Sequence, residues 1–210
     1  MDNKIRFDDI SIEIFNSYKN IKAIIFDFDD TLYRNLSWKG YDEFFLKSIR
    51  KFFLDLSDAQ FEKLLKIEGF SPERPAETLA GILIKEKGNA KELVEFLKTV
   101  RFETDWENAK VFSNALLKEL AKRSKLYIVS NSAKQNIEFV SKKIGLDISM
   151  FTRILSNKFE KEDLSKSRLL KDILEFENIE PKNVLMVGDS IKYDIEPAKK
   201  LGLQTLLIFE

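Results

Sequence analysis

Short apolar runs, each ending in small or acidic residues, recur along this chain and constrain its fold more than any other feature. Ile21–Phe28 is the first, and Leu126-Tyr127-Ile128-Val129 leads into Ser130-Asn131-Ser132. Thr152–Leu155 is a weaker run. Val184-Leu185-Met186-Val187 leads into Gly188-Asp189-Ser190, and Gln204–Phe209 follows. Continuous apolar runs of this length suit strands buried on both faces, as in a parallel sheet. Helical spacing fills the intervals. Asn108–Arg123 carries Val111, Ala115, Leu116 and Leu120, and Ser167–Phe176 carries Leu169, Leu170, Ile173 and Leu174. Ala133–Ile144 stops at Gly145 and Pro197–Leu201 at Gly202, each a left-handed terminator by type. The alternation predicts an α/β fold built on a doubly wound parallel sheet, whose ligands bind at the carboxyl ends of the strands.

The stretch from about Arg34 to Asp105 breaks the alternation and reads as helices over Tyr41–Leu56, Asp58–Ile67 (capped by Ser57), Ala76–Lys87 and Ala90–Phe102. Its phenylalanines, from Phe44 to Phe102, read as the core of a small bundle inserted after the first strand. Residues 1–20 hold Ile10, Ile12, Ile14 and Phe15, an apolar extension that the pattern does not place.

The first run ends in Asp27-Phe28-Asp29-Asp30-Thr31. These aspartates are read as closing the strand, whose alternation turns both of them to one face and Phe26 and Phe28 to the other. Like charges that close are tolerable when a cation sits between them or one carboxyl keeps its proton. The plain structural alternative is a turn capped by these acids. Composition narrows the chemistry. With no Cys and no His, thiol nucleophiles, Ser-His-Asp triads and soft metal sites are excluded. Acid–base work falls to Asp, Glu, Lys or Tyr, and any metal is a hard, oxygen-ligated ion such as magnesium. Lys plus Arg and Asp plus Glu balance at 35 each, which argues against a broadly basic nucleic-acid surface. The first residues lack the apolar core of a signal peptide, and no run reaches the roughly 18 to 20 residues of a membrane span, so a cytoplasmic protein is expected.

Three further motifs stand at strand or helix ends. Ser130-Asn131-Ser132 offers hydroxyls and helix-start N–H groups that suit phosphate, although either serine could simply cap a helix. In Gly188-Asp189-Ser190-Ile191-Lys192-Tyr193-Asp194, Gly188 permits a tight turn that exposes Asp189, a carboxylate that wants a cation. Asp194 reads either as part of that site or as a helix N-cap. Lys166 opens a helix, where the dipole disfavours a cation unless a dianion is near, and Ser165 could serve as the cap.

Asp-x-Asp-x-Thr at residues 27–31, a strand-end Ser130, Lys166 and Gly188-Asp189-Ser190 with Asp194, in that order, resemble the haloacid dehalogenase-like (HAD) hydrolase superfamily. The resemblance implies a Rossmann-like core of residues 1–33 and 106–210, with residues 34–105 as a helical C1 cap that selects substrate. It implies that Asp27 is a nucleophile forming an aspartyl-phosphate. Asp29 would be the acid and then the base, with a pKa raised from about 3.9. Thr31, Ser130 and N–H groups around Asn131 would bind the phosphoryl oxygens, with Lys166 balancing charge. Mg2+ would be held by Asp27, the backbone carbonyl of Asp29 and Asp189, with Asp194 in support. Many relatives carry Lys-Pro at the third motif; here Ser167 follows Lys166, and Lys158 and Lys161 lie nearby. Arg34, Trp38 and Lys39 adjoin the expected hinge, where packing and substrate contact are both open to them.

The implied activity is a magnesium-dependent phosphatase acting on a small phosphorylated metabolite, with neither nucleic acid nor membrane as partner. A phosphomutase of the β-phosphoglucomutase type is an alternative. A phospho-acceptor signalling domain or a non-catalytic module fits less well, because such domains divide their acidic pair and acceptor between strands. The acid at Asp29 also argues against a dehalogenase. Substrate identity and oligomeric state are not legible.

Overall fold

The computed structural model describes residues 3–35, 57, 59, 106–156 and 166–209. Six strands form one sheet: β1 (Asn3–Arg6), β2 (Ala23–Phe26), β5 (Lys125–Ser130), β6 (Arg153–Ser156), β7 (Val184–Gly188) and β8 (Gln204–Phe209). Their order is β1-β8-β7-β2-β5-β6, and every pairing is parallel. A short pair, β3 (Tyr33–Asn35) and β4 (Ala109–Val111), stands apart. The helices are α1 (Ile12–Ser17), α2 (Asn114–Ala121), α3 (Lys134–Ile144), α4 (Ser167–Glu177) and α5 (Glu196–Lys200). Parallel neighbours require crossovers, and α3 and α4 run between consecutive sheet strands as the α/β reading expects.

Central β2 is fully buried from Ala23 to Phe26, which is why its sequence is apolar at every position. Ala23 and Ile25 share one core with Tyr127, Val129, Val184 and Met186, under Leu169, Leu170 and Ile173 of α4 and Ala198 of α5. An aromatic cluster holds the second core: Phe26 meets Phe112 and Phe151 edge-on, with ring centroids at 5.4 and 6.0 Å, and Phe15 of α1 joins at 6.3 Å. Edge-to-face pairs of this kind add about 0.5–1.5 kcal/mol beyond area burial. The N-terminal extension is thereby placed. Residues 3–6 pair with β8 as an edge strand, and α1 buries Phe15 in the aromatic core.

Two expectations need correction. The helix expected over Asn108–Arg123 is shorter, because residues 109–111 form β4 and α2 starts at Asn114. Ser113 is the N-cap, accepting from the Leu116 N–H, and Phe112 donates its N–H to the Leu32 carbonyl at 2.9 Å. Val111 fitted the helical spacing by coincidence, while Ser113 was a legible start signal. The first strand also stops at Phe26, so Asp29 lies beyond it. Gly145 and Gly202 do end their helices with positive φ, at 72° and 82°.

The chain divides into two compact units, Met1–Arg34 with Ala109–Lys158 and Ser165–Glu210, and Asn35–Asn108 with Phe159–Leu164. The helices expected between Tyr41 and Phe102 lie outside the described residues, apart from Ser57 and a helical Ala59. Trp38, Lys39, Lys158, Lys161 and Ser165 also lie outside them. Among the described residues no helix is long and apolar enough to cross a membrane.

Candidate active site

The parallel register aligns the carboxyl ends of β5, β2 and β7, with Phe26 opposite both Ile128 and Val187. Asp27 continues the ladder for one more bond, its N–H donating to the Val187 carbonyl at 2.9 Å. The chain then turns: the Leu32 N–H returns to the Phe28 carbonyl at 3.0 Å, and Asp30 takes a left-handed φ of 58°. Aspartate tolerates that conformation better than most residues. The turn brings Tyr33 back beside Asp29, and its hydroxyl donates to Asp29 Oδ1 at 2.5 Å.

Lys166 joins the site as the residue preceding α4. Its Nζ donates to Asp27 Oδ1, and to Asp194 Oδ1 at 2.5 Å. The lysine is only 3% exposed, so a solvated role does not describe it. The helix-dipole cost noted from sequence is met by two carboxylates. Burial works against the ammonium, but Asp194 and Asp27 outweigh it and hold the lysine above its ordinary pKa. Burial pushes the Asp27 carboxyl well up; Lys166 pulls it down, while Asp194, Asp189 and Asp29 push it further up. One cation therefore does not balance the acids that surround it.

Asp27, Asp189 and Asp194 each offer a carboxylate oxygen, and these atoms lie within 4.8 Å of one another. An all-oxygen set with excess negative charge fits a hard divalent cation. Two of the three, Asp27 and Asp189, are carboxylates expected to hold a metal, and the third, Asp194, was expected in support. Asp194 is fully buried, and its Oδ2 accepts the Ser190 N–H at 2.9 Å. It is not the helix cap. Ser190 is, accepting from the Tyr193 N–H at the start of a wide helical turn over Ile191–Ile195.

Gly188 has a different purpose from the one expected. Its φ is not positive; instead, a Cβ there would lie 2.5 Å from Cβ, Cγ and Oδ2 of Asp194. Gly188→Ala should therefore displace Asp194 from Lys166. The expected cost is about 1–3 kcal/mol in denaturant unfolding, with weakened divalent-ion binding by calorimetry. An alanine variant matching the parent in both measurements would contradict the close-approach account.

At the end of β5, Ser130 Oγ accepts the Ser132 N–H at 3.0 Å, and Ser132 Oγ donates to Asp29 Oδ2. Neither serine caps α3, whose N-cap is Ala133. Asn131 is 7% exposed. Among the described residues the buried Thr31 Oγ1 has no hydrogen-bond partner, a costly state for a hydroxyl unless a ligand supplies one. Arg34 stacks its guanidinium over the Phe7 ring at 5.6 Å. Sequence reasoning missed the links of Tyr33 and Ser132 to Asp29, although Ser132 lies within a motif it had marked and Tyr33 only two residues beyond another.

Fold and site together define a doubly wound α/β protein with an acidic, lysine-bridged centre at its strand ends. A family model described as haloacid dehalogenase-like hydrolase matches residues 21–202, and the chain belongs to that family. Solved structures share the fold at low identity. One is a haloacid dehalogenase-like hydrolase from Streptococcus pneumoniae, with 22% identity and TM-score 0.58, covering 90% of this chain and 85% of that one. A predicted phosphoglycolate phosphatase from Haemophilus somnus matches with 19% identity, TM-score 0.58 and the same coverages. A 2-haloacid dehalogenase from Pseudomonas syringae pv. tomato matches with 18% identity and TM-score 0.52, covering 89% and 86%. No curated protein sequence matches the chain significantly.

Proposed function

We propose that this hydrolase is a magnesium-dependent phosphatase that cleaves a small phosphorylated metabolite through an aspartyl-phosphate. The observation that carries the reading is the buried Lys166 bridging Asp27 and Asp194, with Asp189 alongside. Asp27 and Asp189 would hold the ion through carboxylate oxygens, aided by the Asp29 carbonyl. Asp194, already bonded to Lys166 and the Ser190 N–H, would support the site. Bound there, magnesium supplies the positive charge that lets an anionic carboxylate meet an anionic phosphate.

Asp27 attacks phosphorus, forming an acyl-phosphate bond as the bond to the leaving oxygen breaks. Asp29 gives that oxygen a proton, then takes one from the water that hydrolyses the intermediate, releasing phosphate and restoring Asp27. Thr31 Oγ1, Ser130 Oγ and N–H groups around Asn131 bind phosphoryl oxygens, and Lys166 offsets their charge. Asp29 favours an alkoxide over a halide as leaving group, because a departing alkoxide needs a proton and a departing halide does not. The proposed division is a core of residues 1–33 and 106–210 and a helical cap of residues 34–105, to which substrate selection falls.

A phosphate-release screen over nucleotide monophosphates, sugar phosphates and phosphorylated cofactors tests this. Turnover should vanish with a chelator and return with added magnesium. Turnover indifferent to the chelator, or isomerisation of a sugar phosphate in place of phosphate release, would count against the reading.

A further inference from the structure

We infer that Tyr33 and Ser132 are positioning residues for Asp29, gripping its carboxyl by both oxygens so that proton transfer is aimed at the leaving oxygen. The inference rests on the acid–base role proposed for Asp29 and adds the groups through which that role is carried out. Tyr33 Oη donates to Oδ1 at 2.5 Å and Ser132 Oγ donates to Oδ2. The two hydroxyls come from different parts of the fold, the start of β3 and the loop after β5. A single bond would leave the carboxyl plane to rotate about its broad terminal torsion, whereas bonds to both oxygens fix that plane.

Each hydroxyl is itself held. Tyr33 is fully buried, with its ring centroid 5.1 Å from that of Phe28. The carbonyl of Ser132 accepts Ser156 Oγ at 2.7 Å, and its N–H donates to Ser130 Oγ at 3.0 Å. The ends of β6, β5 and β2 are thus linked through Ser156, Ser132 and Asp29. Ser130, the proposed phosphate ligand, shares the same loop. Binding of the phosphoryl group and orientation of the proton-transfer group are therefore set by one short segment, with Tyr33 closing the other side. Tyr33→Phe keeps the ring and its packing while removing only the hydroxyl, and Ser132→Ala removes the second grip independently.

The test uses the full chain with magnesium and compares kcat/KM for 4-nitrophenyl phosphate and phenyl phosphate. This parameter covers the steps up to loss of the alcohol, and 4-nitrophenolate leaves with little help from an acid while phenolate needs it. A misaimed acid should cost Tyr33→Phe about 30-fold on phenyl phosphate and only about 3-fold on 4-nitrophenyl phosphate, within the range of general-acid contributions. Ser132→Ala should show the same bias. Equal losses on the two esters, which a merely structural role would give, would overturn the proposal, as would no loss on either. Absence of Asp27-dependent phosphate release in the unaltered protein would remove the acid–base reading and this inference with it. That failure is recognisable because it precedes any change at Tyr33 or Ser132.

Discussion

Asp27→Asn should abolish turnover while leaving the fold intact. The amide oxygen is a poor nucleophile, and its NH2 group cannot accept a hydrogen bond from Lys166, so kcat should fall by about 10⁴-fold or more. Stability should respond differently. Asp27 is crowded by Asp194, Asp189 and Asp29, all of which oppose its charge, and Lys166 keeps Asp194 as a partner after the substitution. Denaturant unfolding should therefore shift by no more than about 1 kcal/mol, because loss of the ion pair is offset by relief of repulsion. An inactive but stable variant separates a chemical role from a structural one. Retained phosphate release would remove the nucleophile from the scheme.

Lys166→Met should damage both properties at once. Losing one preorganised charge at the phosphoryl site typically costs about 10²–10³-fold in kcat. The substitution also leaves Asp27 and Asp194 buried without their shared cation, a loss on the order of 3–5 kcal/mol for breaking a buried pair. Added magnesium should raise the melting temperature of this variant more than that of the parent, since the unpaired carboxylates then have another cation to share. A variant with unchanged stability and unchanged magnesium response would place Lys166 outside the cluster in solution.

The apolar runs were legible because strands buried on both faces must be apolar throughout, as Ala23–Phe26 and Val184–Gly188 are. Tyr33, Ser132 and Lys166 were legible only in part, since their partners lie across the fold or around a turn. Local rules made Lys166 a poor helix-start residue, and only the tertiary pairing with Asp27 and Asp194 accounts for it. Gly188 illustrates a different limit. Sequence suggests the flexibility of a glycine, whereas its role here is the space it leaves for Asp194, a fact about packing that no local pattern carries. The first strand misled for a related reason. Alternation was extended to Asp29, but the strand ends at Phe26 and the chain turns beyond it, with Asp30 in the left-handed region. Residues 109–111 were drawn into a helix because Val111 matched its spacing, and a three-residue strand is too short for a period of two to declare itself.

The central claim is that a phosphoryl group passes through Asp27. The most direct measurement is mass spectrometry of peptides from protein quenched in acid during turnover with magnesium. A phosphoryl group on the peptide carrying Asp27, absent from Asp27→Asn, is the expected result. Phosphate release with no phosphoryl group on that peptide, or with one on another residue, would contradict it.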